Sequence, residues 1–216
     1  MSKPVVHAIF PIPVYTVVCE DNMDLCHDYL NSNQDLISYG NNSAIFGHKS
    51  QDDCVLDRPE CAKLKEFIVN NLETFSDQVM AWEDTEFKIT QSWISYKHPG
   101  EYHASHYHPN SVLSGVYFFQ DHTDDVQPLT MHRPSILCQL MAQFAPDIDT
   151  AKNEHTGFTW AQFNIKPRKG LLVIFPSWLN HSVPENTTSI LRKSLAFNAV
   201  PSKTVGSVFS STKLTF

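Results

Sequence analysis

The chain has 216 residues, 42% hydrophobic and 18% charged, which is enough for one sizeable core and fits one domain better than two. Its net charge of −7, with no Lys/Arg-rich run, argues against a nucleic-acid partner, and no run of about 18 apolar residues offers a membrane span. Five cysteines (Cys19, Cys26, Cys54, Cys61 and Cys138) are odd in number and form no Cys-x-x-Cys, against both a disulfide framework and a thiolate zinc site; with no signal peptide at the start, the expectation is a soluble, cytoplasmic protein.

Residues 1–86 read as a helical support region. Within it the stretch from Phe10 to Val18 predicts a short strand entered through Pro11 and Pro13, and Asp21-Asn22 is suited to cap a helix through about Leu30. Asp57, Pro59 and Glu60 mark a second helix start. Beyond them Leu64, Phe67, Ile68, Leu72, Phe75 and Val79 recur at three- and four-residue steps, which predicts an amphipathic helix supporting a sheet with its buried face.

Residues 87–200 change to strand character. Segments 88–96, 112–119, 158–165, 171–175 and 190–200 are rich in β-branched and aromatic residues, with Lys166–Gly170 as a hairpin-like connection. Many short strands after a helical start predict a mainly β fold, a sandwich or jelly roll flanked by N-terminal helices. Between 121 and 157 periodicity is weak; 136–144 is a candidate short helix, and so long a segment suits a lid or substrate loop. The tail, 201–216, is expected along the surface.

Of the 11 histidines, His98, His103, His106 and His108 fall in one short window. His106 and His108, two apart on a strand, point to one face with Cα atoms roughly 6 to 7 Å apart, so both imidazoles can reach one metal with His181 as a third. His103, three before His106, is the chief competitor for a ligand slot but is expected on the opposite face. His98, His122, His132 and His155 read as surface or loop residues, and Trp93, Trp160 and Trp178 as core or pocket wall. After His181, strand alternation puts Arg192 and Ser194 on one face, where guanidinium and hydroxyl can together hold a carboxylate. Three side chains on one face of a metal, with open positions beside an anion anchor, suit a non-haem iron site that takes a keto acid. A histidine stands where a carboxylate is usual, so the site would stay at +2 rather than +1.

The spacing His106-x-His108-Pro109, then Leu113–Phe118, Gly170–His181 and Arg192-x-Ser194-x-Ala196-Phe197-Asn198, resembles the prolyl-hydroxylase-like 2-oxoglutarate/Fe(II)-dependent oxygenases of the double-stranded β-helix (cupin-like) superfamily, in a branch found in bacteria and tailed phages. Phe10–Tyr15 and the long helix match too, so the resemblance covers nearly the whole chain. It implies Fe(II) held by His106, His108 and His181, and 2-oxoglutarate anchored by Arg192 with Ser194. It also implies a tyrosine near the cosubstrate, Tyr96 first and Tyr117 second. The partners it implies are dioxygen and an unidentified substrate, with a polypeptide side chain, proline first, favoured. The alternative is a non-oxygenase, metal-binding jelly roll, since three histidines also suit zinc. Arg192 and Ser194 argue against it, because a structural metal needs no carboxylate anchor.

Overall fold

A computed structural model describes residues 11–38, 43–82, 85–121, 125–134, 161–205 and 212–215. Trp160, His122, His155, Cys138 and the candidate helix at 136–144 lie outside them. The chain opens with strand β1 (Tyr15–Val18) and helix α1 (Asp24–Ser32). The N-cap position is Met23 rather than the predicted Asp21-Asn22; Asn22, just before it, forms an Asx turn, its side-chain oxygen accepting the Asp24 N–H at 2.8 Å. Strand β2 (Leu36–Ser38), the single turn α2 (Ser43–Phe46) and strand β3 (His48–Ser50) follow. Two 3₁₀ turns, the second opened by Pro59, lead into helix α3 (Ala62–Met80). Leu64, Ile68, Leu72 and Phe75 of α3 are fully buried, as their spacing predicts, whereas Val79 is exposed at the end where the helix leaves the sheet. Ala81 adopts φ +52 and Trp82 N–H reaches back to Ser76 O at 3.1 Å, which closes the helix.

The second half carries β4 (Phe87–Lys97), β5 (His103–His106), β6 (Leu113–Tyr117), β7 (Leu129–His132), β8 (Gln162–Ile165), β9 (Leu171–Pro176), β10 (His181–Val183) and β11 (Arg192–Pro201). Strands β12 (Thr204–Val205) and β13 (Leu214–Thr215) pair with each other in the tail. A seven-stranded antiparallel sheet has the order β1-β9-β6-β11-β4-β3-β2, and a four-stranded antiparallel sheet the order β5-β10-β7-β8. This is the expected jelly roll, with one correction to the N-terminal reading. Residues 1–86 are not only a helical support, because β1, β2 and β3 lie at the two edges of the large sheet. Three-residue strands such as β2 and β3 are too short to show a two-residue period.

Strand alternation divides the large sheet between two cores. Leu172, Ile174, Leu195, Phe197, Tyr96 and Tyr117 point toward α1 and α3, while Val173, Phe175, Val116 and Phe118 point toward the small sheet. Gly115 lies opposite Phe197 in register, and a Cβ there would stand 2.3 Å from the ring, so only glycine lets the aromatic ring lie over β6. Truncating a fully buried residue such as Leu72 to alanine would cost about 2–5 kcal/mol. Cys19, Cys26, Cys54 and Cys61 are free thiols. Among the described residues no helix is long and apolar enough to cross a membrane.

Candidate metal centre

His181 on β10 and His106 on β5 are direct cross-strand partners in the small sheet. His108 follows β5, its backbone N–H held by Ser177 O at 2.9 Å. One side-chain nitrogen from each of the three lies within 4.8 Å of the others, with His106 and His181 ring centroids 4.3 Å apart and His108 and His181 5.1 Å apart. The outer nitrogens explain the orientation. His106 Nδ1 meets Ala104 O at 2.9 Å, His181 Nδ1 meets Leu179 O at 2.9 Å, and His108 Nδ1 meets Asn198 Oδ1. A carbonyl oxygen only accepts, so each Nδ1 carries the proton and each Nε2 presents its lone pair. Three imidazoles fixed in that tautomer fit a divalent metal.

Electrostatics favours the same state. Burial holds His106 down to about 4 and His181 down to about 3, each lowered further by the neighbouring imidazoles, and burial lowers His108 as well. The triad is therefore neutral, as ligation requires.

The expected place of His103 needs correcting. Val183 pairs with His103 and His181 with His106, so β5 spends one residue more than β10 between those pairs, a β-bulge that turns His103 back to the face of His106. The two rings stack at 4.2 Å and His103 lines the cavity, yet it is not part of the three-donor cluster. His132 sits at the rim of the small sheet, bonded to Ser182 Oγ at 2.8 Å.

Facing the histidines is the inner surface of the large sheet. Trp93, Ser95, Arg192, Ser194 and Ala196 line the same cavity from β4 and β11. Arg192 is 2% exposed, its guanidinium lies 5.6 Å from the Phe118 ring centroid, and its Nε has no hydrogen-bond partner among the described residues. Burial lowers even this guanidinium to about 10. A buried cation with an open donor in a cavity with Ser194 has the chemistry to pair with an anion.

Tyr96 and Tyr117 do not reach that cavity. Alternation turns both to the helix side, where the Tyr96 hydroxyl donates to Asn33 Oδ1 at 2.9 Å and the Tyr117 hydroxyl pairs with His27 Nε2 at 2.9 Å. Their expected role beside the cosubstrate is corrected. Ser95, one position before Tyr96, lines the site instead, and Lys97, one position after it, donates from Nζ to Ser95 Oγ at 3.0 Å. Counting residues from His106 found the strand but not the pleat.

Asn198 is the other residue that the spacing alone did not assign. On β11 it accepts from His108 Nδ1 and, at 2.8 Å, from Ser114 Oγ, while its amide donates to Gln91 Oε1 at 3.2 Å. Its place on the face of Arg192 and Ser194 was the available signal. Beside His108 a groove of ≈ 490 Å³ opens, walled by Trp82, Tyr107, Pro109 and Trp178. Tyr107 and Trp178 are both more than half exposed.

Residues 91–198 match a family model described as "Putative 2OG-Fe(II) oxygenase". Among solved structures, a Pseudomonas putida prolyl-4-hydroxylase superposes with a TM-score of 0.57 at 15% identity, over 87% of this chain and 92% of that one. A Trichoplax adhaerens prolyl hydroxylase, solved with a hypoxia inducible factor peptide fragment, gives 0.57 at 12%, over 87% and 83%. The non-heme alpha ketoglutarate dependent epimerase SnoN from nogalamycin biosynthesis gives 0.61 at 14%, over 92% and 84%. These likenesses describe the fold. No curated protein matches the chain in sequence.

Proposed function

The chain belongs to the 2OG-Fe(II) oxygenase family, an enzyme family that uses iron and 2-oxoglutarate, and from that premise we propose that His106, His108 and His181 hold the iron and that Arg192 with Ser194 anchors the cosubstrate. The observation that carries the assignment is a single cavity with opposite walls. One wall offers three imidazole lone pairs, and the other a buried guanidinium with an open donor.

When bound, iron(II) and 2-oxoglutarate together activate dioxygen, releasing succinate and carbon dioxide and oxidising a carbon-hydrogen bond. The chain supplies the geometry. Arg192 holds the far carboxylate by its planar fork and Ser194 adds one hydrogen bond, which leaves the keto-acid end directed toward the histidines. Val116, Leu129, Phe175 and Val183 make the remaining wall apolar and exclude water. Asn198 keeps the proton of His108 on Nδ1.

For the substrate we propose an extended polypeptide segment presenting a proline. The groove next to His108 is walled by aromatic rings and Pro109, surfaces that pack against the CH-rich face of a pyrrolidine ring. The peptide-bound prolyl hydroxylase of similar fold supports the choice. The metal-only jelly roll loses ground because a structural metal gives no use to the open donor of Arg192.

The test incubates iron-loaded protein with 2-oxoglutarate, oxygen and proline-containing peptides, following succinate and peptide mass. Succinate together with a peptide heavier by one oxygen atom is expected. Succinate with oxygen gained only by small metabolites overturns the peptide assignment and leaves the oxygenase intact.

A further inference from the structure

A second cluster of donors lies away from the triad, where β3 meets the turn between β4 and β5. We propose that His48, His98 and Glu101 form a second metal site, which takes a divalent transition cation of the zinc class and ties β3 to that turn. The three residues each bring one donor atom within 4.8 Å of the others, and the cluster is only partly exposed, with His48 at 20% and Glu101 at 12%.

The scaffold around the cluster is already built. Glu101 N–H donates to His98 O at 3.0 Å, and Glu101 Oε2 accepts His98 N–H at 2.9 Å, so the carboxylate is locked across its own turn. Gly100, at φ +82, allows that turn, and its N–H donates to Asn186 O at 2.8 Å while Asn186 N–H donates back to Glu101 O at 2.8 Å. His48 is set by strand pairing opposite Tyr96. No donor has to search for its place.

A plain His48–Glu101 ion pair explains the geometry less well. Nδ1 of His48 lies 2.9 Å from Glu101 Oε1, yet its hydrogen-bond direction misses the oxygen, and this buried nitrogen has no hydrogen-bond partner among the described residues. An imidazole nitrogen this close to a carboxylate oxygen, yet making no hydrogen bond to it, is free to offer its lone pair to a third body. Ligands about 2.1 Å from one cation stand roughly 3.0–3.4 Å apart; the His48–Glu101 pair, at 2.9 Å, is near that spacing, and the His98 donor lies within 4.8 Å of both. The His98 ring stands edge-on to that of His48, at 87° with centroids 5.2 Å apart. Two imidazoles and one carboxylate, with room for water beyond, are a donor set that zinc takes.

Nothing in the oxygenase chemistry calls for this cation. Its position still matters to the first site, because the turn that it would clamp runs directly into β5, the strand that carries His106.

Metal-depleted protein is titrated with Zn²⁺ by calorimetry, and bound zinc is counted after gel filtration. Wild type is expected to hold two equivalents with micromolar or tighter affinity, and His98→Gln and Glu101→Gln one each. His181→Ala is also expected to hold one, and the double variant His181→Ala/His98→Gln none, with circular dichroism checking that each variant folds. If a variant fails to fold, the wild-type stoichiometry decides. One equivalent in wild type, a second seen only at millimolar zinc, or two retained in Glu101→Gln would each overturn the site and leave an ion pair in its place.

Discussion

The two sheets contribute opposite halves of one cavity and are built in opposite ways. The large sheet has an eleven-residue strand paired with a ten-residue strand, β4 and β11, with one register shift after Asn198; β11 is buried over nearly its whole length, as are residues 94–97 of β4, and it presents Arg192, Ser194 and Asn198 from between two cores. The small sheet is made of strands of three and four residues, with a bulge between its two ligand-bearing members. The proposed anion half therefore rests on long paired strands, whereas the proposed metal half is oriented by the hydrogen bonds of its three imidazoles. Substitutions at His181 and Arg192 should then separate the halves, with Asn198 as the link between them.

The sharpest break is His181→Ala. It removes the imidazole that pairs with His106 across the strands, so binding at the triad should fall by on the order of a thousand-fold or more while the large sheet keeps its fold. Metal content and far-ultraviolet circular dichroism read the two halves separately. Full loading of the triad in this variant would remove it as the metal centre.

Next is Asn198→Leu, a substitution in the large sheet whose effect should appear in the small one. Losing Asn198 leaves only Ser114 Oγ, at 3.1 Å, to hold His108 Nδ1, so the imidazole is less firmly fixed and metal affinity should drop about ten- to a hundred-fold. The same contact bears on His108→Asp. A carboxylate there would face the oxygen of Asn198, which already accepts from Ser114 while its amide is committed to Gln91, so the swap should weaken metal binding rather than restore a more usual ligand set. A metal titration of His108→Asp, alone and with Asn198→Ser, checks it: recovery in the pair would show that the surroundings are built for histidine.

The same contrast explains what could be read from the sequence. β4, β9 and β11 are long enough for alternation to show, so both the strands and the shared face of Arg192 and Ser194 were legible. β5, β7 and β10 are only three or four residues long, and the extra residue that turns His103 inward leaves no compositional mark. The triad was legible because His-x-His needs only local geometry, while Tyr96 and Tyr117 were misplaced because burial of their rings against the helices decides which face is which. His48 and Glu101 are far apart in sequence and had no local pattern to connect them.

A smaller effect, confined to the anion half, is expected of Arg192→Lys. The positive charge stays but the planar fork is lost, so 2-oxoglutarate affinity should weaken about ten-fold with metal content unchanged. Ser194→Ala should cost roughly 1 kcal/mol, for one hydrogen bond. Calorimetric titration of metal-loaded protein with 2-oxoglutarate measures both. Metal loss in Arg192→Lys would contradict the division between the halves.

The mildest expectation concerns Lys97, fully buried directly opposite Arg192 in the strand register. Burial first, and then the adjacent guanidinium, lowers its ammonium to about 7. Because this is below the value in the unfolded chain, the unfolded state binds the proton more readily, and the apo protein should gain stability as pH rises from about 7 toward the ordinary lysine range. A bound dicarboxylate beside Ser95 would reverse the balance by favouring the charged amine. Binding of 2-oxoglutarate near pH 8 should then take up part of a proton, and affinity should decline roughly two- to five-fold over the next pH unit or two. Lys97→Met should abolish the uptake and flatten the decline while Arg192 still anchors the ligand. Calorimetry in buffers of different ionisation enthalpy counts the protons. An equal count in wild type and Lys97→Met would show that Lys97 does not sense the cosubstrate and that Arg192 alone supplies the charge.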